Sequence, residues 1–69
     1  MSVFVENLIA LRSGKGYTQR QMARILGIAH STYRDYELGK SEPGHSVTMR
    51  IAKELDISVD YLIGFTQNN

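Results

Sequence analysis

The chain has 69 residues, a formal net charge of +1 and no cysteine. This length suits one domain over residues 1–69, whose single core buries only about 60% of the unfolded chain's surface. The absence of cysteine excludes disulfides, thiolate nucleophiles and cysteine-ligated metals. No apolar run reaches the ~18 residues of a membrane span, and the N-terminus lacks the basic region of a signal peptide. We therefore expect a cytoplasmic protein without a membrane partner.

The first predicted helix covers residues 3–13. Phe4, Leu8 and Leu11 recur at helical spacing, Ser2 can cap the first turn, and Gly14 ends the pattern.

A capping box predicts where the second helix begins. Thr18 is followed three residues later by Gln21, so the threonine hydroxyl and the glutamine side chain can each bond the other's backbone N–H. The helix should end at Gly27, because glycine adopts the left-handed cap conformation most readily. Its apolar face is formed by Met22, Ile25 and Leu26.

Three more helices are predicted. The third covers residues 29–38 and ends at Gly39, with Tyr33, Tyr36 and also Thr32 as candidates to point inward. A loop over 41–44 precedes a fourth helix that runs to about residue 55 and is indicated by Val47, Met49, Ile51, Ala52 and Leu55. Ser58 can cap a fifth helix over 59–63. Since β-branched residues never alternate for long, no strand is predicted, and the expected fold class is all-α.

Residues 19–36 have the pattern of two helices that meet across a tight turn. Such a crossing needs a small residue where the backbones approach, glycine at the turn, and apolar residues facing the shared interior. Ala23 fits the first requirement and Gly27 the second. The third is met by Met22, Leu26, Ile28, Tyr33 and Tyr36. The pattern favours a helix-turn-helix at about residues 18–38.

This block and its surroundings resemble the helix-turn-helix family of phage repressors, Cro proteins and their relatives, the lambda-repressor-like domains. The resemblance spans about residues 8–64 and includes Leu11-Arg12, Tyr17-Thr18-Gln19, Met22-Ala23, Glu37-Leu38-Gly39-Lys40, Pro43 and the stretch 51–62. It implies a compact five-helix domain that binds double-stranded DNA, with its third helix in the major groove. It further implies a sequence-specific transcriptional regulator, expected to repress a palindromic operator as a homodimer.

One face of the predicted third helix carries the candidate base-reading residues His30, Ser31, Arg34 and Asp35, opposite the two tyrosines. Arg34 can donate two hydrogen bonds to guanine, and His30 and Ser31 suit several base edges. Asp35 can accept only from the amino groups of cytosine or adenine, so orienting Arg34 or His30 is its alternative role. For the whole face, the alternative is an ordinary solvated helix surface.

Candidate phosphate contacts lie at the ends of the helices. The resemblance implies this role for Thr18 and Gln19, at the start of the second helix. Lys40 and Ser41, just after the third helix, are predicted to contact the neighbouring strand. The alternative for Lys40 is an ordinary exposed lysine. The Tyr33 hydroxyl needs an outlet from the core, and a phosphate is predicted to supply it.

Two further sets of residues have expected roles in the scaffold. The family pairs the positions of Arg12 and Glu37 in a buried or half-buried salt bridge, which would tie the first helix to the third. Near the C-terminus, an apolar cluster could form a dimer interface. Its members are Val59, Tyr61, Ile63 and Phe65.

Other functional classes receive little support from the sequence. Two isolated histidines and no paired carboxylates at motif spacing give neither a metal site nor an acid-base pair, so no enzyme activity, cofactor or small-molecule ligand is expected. An antitoxin-like module that binds a partner protein, with DNA binding secondary, is the alternative function. Activation cannot be separated from repression, because it depends on where the operator lies.

Overall fold

In the computed structural model, which describes residues 2–65, the chain folds into five α-helices. These are α1 (Val3–Gly14), α2 (Gln19–Leu26), α3 (His30–Leu38), α4 (His45–Glu54) and α5 (Val59–Ile63). That part of the chain contains no strand, and the all-α prediction with a helix-turn-helix is confirmed. None of its helices has the length and apolar character needed to cross a membrane.

Three helices begin at the side-chain caps predicted from the sequence. The hydroxyls of Ser2 and Ser58 each accept a hydrogen bond from the backbone N–H three residues later. At the start of α2, Gln21 N donates to Thr18 Oγ1 at 3.0 Å, and Thr18 N donates to Gln21 Oε1 at 2.8 Å. Because each cap satisfies an N–H group that lacks an intrahelical partner, these starts are fixed by local sequence.

The turn between α2 and α3 depends on one glycine and leaves the start of α3 uncapped. Gly27 ends α2 with φ of 72°, in the left-handed region that favours glycine. Ala29 precedes α3 and offers no side-chain hydrogen bond to it. The sharp turn therefore comes from Gly27, and the first N–H groups of α3 have no side-chain cap.

The core draws on every helix. The largest fully buried side chains are those of Leu8, Met22, Leu26, Tyr33, Ile51, Leu55 and Leu62. α1 packs against α3 and α5, α2 packs against α3 and α4, and α4 packs against α5. α3 is consequently held on one side by α1 and on the other by α2, which leaves its remaining surface accessible.

Met49, an apolar residue of the predicted fourth helix, and Thr32, a candidate to point inward, are both exposed. Met49 is 62% exposed, since it precedes Ile51 by two residues and so lies about 160° around the helix from it. Thr48 has the more inward position and is half-buried, with its hydroxyl donating to Gly44 O at 2.8 Å. Thr32 on α3 is also exposed.

The first and last helices are joined by a side-chain bridge that the sequence did not predict. Asn7 Nδ2 on α1 donates to Tyr61 O at 2.9 Å and to Leu62 O at 3.2 Å, so it satisfies carbonyls at the end of α5. Nearby, a Cβ at Gly64 would lie 2.5 Å from Val3 Cγ1, and the φ of Gly64 is 85°. Only glycine allows α1 and the end of α5 to approach this closely.

Candidate nucleic-acid interface

The accessible side of α3 carries the four predicted base-reading residues. Ser31 and Arg34 are exposed, and His30 and Asp35 are half-buried. Within residues 2–65, none of these four side chains makes a hydrogen bond or an ion pair with another residue. Their donors and acceptors are therefore available to a ligand, and the alternative role of Asp35 in orienting Arg34 or His30 has no contact in this structure.

The accessible surface of α3 also includes Thr32, which the sequence left as a candidate to point inward. It lies in the first turn of α3 and is exposed, so its hydroxyl and methyl group are accessible at the start of that helix. Helical position alone gave no clear signal, because Thr32 lies about 100° from Tyr33 but only about 40° from Tyr36.

The predicted phosphate-binding residues lie at the two helix ends expected for them. Thr18 is exposed at the start of α2 and Gln19 is half-buried, while Lys40 and Ser41 are exposed just after α3. Gln19 Nε2 donates one of its hydrogens to Glu37 Oε1 at 2.9 Å. The side chains of Lys40 and Ser41 have no partner among the described residues.

Behind this surface lies a buried polar cluster built around Glu37, whose carboxylate receives four hydrogen bonds. Arg12 Nε donates to Oε2 at 2.6 Å and Arg12 Nη2 donates to Oε1 at 3.1 Å, so the expected ion pair is present and bidentate. Tyr33 donates its hydroxyl to Oε2 at 2.5 Å. Gln19 supplies the fourth bond. Hereafter Arg12, Gln19, Tyr33 and Glu37 are called the Glu37 cluster.

Arg12 extends the Glu37 cluster to the segment that leads into α2. Its Nη1 donates to Tyr17 O at 2.8 Å. Through this one guanidinium, α1 contacts both the carboxylate on α3 and the backbone just before Thr18. The relative positions of the α2 start and α3 are thus fixed by hydrogen bonds as well as by apolar packing.

The cluster shifts the pKa values of its members in directions that favour the ion pair. Burial on its own would raise the pKa of Glu37, but hydrogen bonds from Arg12, Tyr33 and Gln19 outweigh burial and hold that pKa below its ordinary value. The hydrogen bond to Glu37 raises the pKa of Arg12. Burial, followed by the hydrogen bond to Glu37, raises the pKa of Tyr33. At neutral pH the phenol is therefore protonated and donates to an ionised carboxylate.

Tyr33, predicted as a phosphate contact, is not accessible to a phosphate. Its side chain is 0% exposed, and the outlet for its hydroxyl is Glu37 rather than a ligand. The ring also packs edge-to-face with Tyr36, with centroids 6.3 Å apart. The available signal was the spacing of Tyr33 and Glu37, four residues apart on one helix face.

The helix-turn-helix geometry matches known proteins along nearly the whole chain. A family model described as a helix-turn-helix domain matches residues 5–65. The chain belongs to this helix-turn-helix family. It is 44% identical over 61 residues to the uncharacterized HTH-type transcriptional regulator YqaE of Bacillus subtilis, an alignment that covers 88% of this chain and 53% of the relative.

Two other similar proteins are a phage repressor and a regulator of known structure. The chain is 39% identical over 59 residues to the cryptic phage CTXphi transcriptional repressor RstR of Vibrio cholerae, covering 86% of this chain and 53% of RstR. A crystal structure of a transcriptional regulator from Listeria innocua superimposes with a TM-score of 0.85 at 30% identity, covering 96% of this chain and 62% of that one. The helix-turn-helix chain spans about half the length of the curated relatives it matches.

The predicted dimer residues divide into two groups in this helix-turn-helix domain. Val59 is half-buried and packs against the core, whereas Tyr61, Ile63 and Phe65 are exposed. Ile63, Val59 and the exposed Met49 line a shallow apolar groove between α4 and α5. Among residues 2–65, no group of three histidine, cysteine, aspartate or glutamate residues is placed to hold a metal ion.

Proposed function

We propose that this helix-turn-helix domain binds double-stranded DNA sequence-specifically and regulates transcription, acting as a repressor that binds a palindromic operator as a homodimer. The observation that carries the proposal is the asymmetry of α3. Its inner side is held by core packing and by the Glu37 cluster, while its outer side presents polar groups with no partner within residues 2–65. A rigid helix with free donors on one face is what major-groove readout requires.

Base readout is assigned to His30, Ser31, Arg34 and Asp35. Arg34 is the principal reader, because its exposed guanidinium has no intramolecular partner within residues 2–65 and can bond guanine N7 and O6 together. His30 and Ser31, in the first turn of α3, contact neighbouring base edges. Asp35 disfavours phosphates and bases that present acceptors, and it accepts from an amino group of cytosine or adenine.

Phosphate binding is assigned to the two helix ends on either side of that face. Thr18 and Gln19 clamp one strand from the start of α2, and Lys40 and Ser41 contact the other from the end of α3. The domain's net charge is only +1, so bulk attraction to DNA is weak. Affinity then depends on these few contacts rather than on a broad basic surface.

Repression and dimerisation rest on separate lines of support. The relative RstR is named a transcriptional repressor. For the dimer, the support is the exposed apolar group Met49, Tyr61, Ile63 and Phe65, which would be covered if a second copy packed against it across a two-fold axis. A dimer presents two α3 faces, and its operator is then an inverted repeat.

Selection from a randomised duplex library at near-physiological salt tests the function directly. We expect enrichment of an inverted repeat with half-sites about one helical turn apart. An Arg34→Ala variant selected in parallel should lose preference at one position of each half-site and keep the spacing. If the wild-type pool shows no enrichment above the salt-sensitive background, sequence-specific binding is refuted and a partner protein becomes the target of the search.

Light scattering with a matched pair of variants tests the homodimer. Ile63→Asp places a charge in the exposed apolar group and should give a monomer at concentrations where the wild type is a dimer. Ala10→Asp adds the same charge at an exposed position on α1 and should leave the dimer intact. A wild-type monomer that nevertheless binds an inverted repeat would refute dimerisation in free solution.

A further inference from the structure

The two oxygens of the Glu37 carboxylate face different parts of the domain. Oε2 accepts from Tyr33 and from Arg12 Nε, both behind α3. Oε1 accepts from Gln19 Nε2, at the start of α2, as well as from Arg12 Nη2. Because the carboxylate is planar, any bond that fixes Oε2 also fixes the direction in which Oε1 meets Gln19.

Tyr33 is well suited to fix the carboxylate. Its ring is fully buried among core residues, so the hydroxyl is held at a defined point. Tyr33 and Glu37 lie one turn apart on the same helix, and the bond between them does not depend on the packing of separate helices. Arg12, by contrast, reaches Glu37 from α1 with a long side chain that is 15% exposed.

Glu37 in turn determines which way the Gln19 amide faces. The two ends of a glutamine amide are nearly equal in shape, and only the nitrogen can donate to a carboxylate. The bond to Glu37 Oε1 therefore selects one orientation and uses one of the two hydrogens on Nε2. The second hydrogen has no acceptor within residues 2–65 and remains for a phosphate oxygen.

We infer that the Tyr33 hydroxyl is a positioning group for DNA backbone binding, acting through the Glu37 carboxylate to orient the Gln19 amide toward a phosphate. The inference rests on the proposed DNA-binding function and deepens it. Tyr33 itself touches no DNA. It restricts the Gln19 amide to one orientation in the free protein, so that less conformational entropy is lost when the amide binds DNA. This effect is preorganisation.

The test compares two tyrosine variants that each lose one hydroxyl. Tyr33→Phe removes the bond to Glu37 and keeps the ring in the core. Tyr36→Phe is the matched control, because Tyr36 is also buried on α3 but its hydroxyl has no hydrogen-bond partner within residues 2–65. Fluorescence anisotropy would measure the affinity of each variant for the selected operator duplex and for a mixed-sequence duplex, well below each melting temperature.

We expect Tyr33→Phe to weaken binding to both duplexes by about three- to tenfold, the range that one ordinary hydrogen bond represents. The ratio of operator to mixed-sequence affinity should be unchanged, since a phosphate contact carries no sequence information. Tyr36→Phe should bind as the wild type does. In a Gln19→Ala background the Tyr33→Phe change should have no further effect, because the group it positions is already absent.

Each contrary result has a distinct meaning. If the wild type binds DNA and Tyr33→Phe binds equally well, or if the losses from Tyr33→Phe and Gln19→Ala simply add, the positioning role is overturned while the proposed function stands. If the wild type binds neither duplex, both fall together. A second readout is NMR hydrogen exchange of the Gln19 side-chain amide in the free protein. It should be slowed in the wild type and faster in Tyr33→Phe, and equal rates would also overturn the inference.

Discussion

Replacing Arg12 with alanine should destabilise the domain more than replacing an exposed side chain of α3. Arg12 supplies two of the four hydrogen bonds to Glu37, whose side chain is only 4% exposed. Leaving a buried charge wholly unpaired costs on the order of 3 to 5 kcal/mol. Glu37 would retain its hydrogen bonds from Tyr33 and Gln19, and water can enter the space left by Arg12. We therefore expect the free energy of unfolding to fall by about 2 to 3 kcal/mol.

Thermal unfolding followed by circular dichroism at 222 nm measures this effect. For a domain of this size, each 1 kcal/mol of lost stability lowers the melting temperature by about 4 to 8 °C, so a loss of about 2 to 3 kcal/mol gives a fall of roughly 8 to 24 °C. Arg34→Ala is the control, because Arg34 is exposed and has no side-chain partner within residues 2–65, and its melting temperature should stay close to that of the wild type. An Arg12→Ala curve that overlays the wild type would refute the energetic role assigned to the pair.

Three other predictions concern the pH dependence of stability, DNA affinity and backbone conformation. The pKa of Glu37 is lowered in the folded state. The stability that ionised Glu37 contributes should therefore be fully present above the ordinary glutamate pKa of ~4.3, and it should be lost as the pH falls through the lower pKa of the folded state. Urea titrations at pH 7 and pH 3 would measure the difference. Arg34→Ala should reduce the binding free energy by about 1 to 3 kcal/mol for the operator duplex only. Lys40→Ala should weaken binding to all duplexes alike and flatten the salt dependence of the affinity measured by anisotropy. Gly27→Ala should lower the free energy of unfolding by about 1 to 2 kcal/mol and so lower the melting temperature, since the φ of Gly27 is 72°. Gly14→Ala, at a helical position with open space around it, should instead raise the melting temperature. Equal shifts in the two variants would contradict the backbone argument.

Features set by a few neighbouring residues could be predicted from the sequence. Thr18 and Gln21 are three positions apart, so their capping box needs no information from the rest of the chain. Gly27 signals the left-handed end of α2 in the same way. The apolar character of Met49 helped to indicate α4, but its angle around the helix leaves it exposed. Asp56 adopts a positive φ of 60°, a conformation that no local pattern indicated.

Contacts between distant residues were harder to predict. The pairing of Arg12 with Glu37 was expected only because the chain resembles a known family. Gln19 also binds Glu37, from 18 positions away, and the spacing of polar residues gives no means of choosing that partner over solvent or DNA. The hydrogen bond from Tyr33 could be predicted, since Tyr33 and Glu37 are one helical turn apart. Choosing Glu37 rather than a phosphate as the partner of the hydroxyl, however, depends on how deeply Tyr33 is buried.

The bridge from Asn7 to the end of α5 also bears on the order in which the domain is completed during synthesis. Asn7 is made early, but the carbonyls it binds belong to α5, which leaves the ribosome after the other four helices. At ~5–20 residues per second, the interval between Leu38 and Leu62 is about 1 to 5 s. During that time α1 can pack against α3, but Asn7 still lacks the α5 carbonyls that it binds. The helices that hold α3, which are α1 and α2, are therefore made before the contact that joins α1 to α5, and the core shared by the five helices is completed only when α5 emerges.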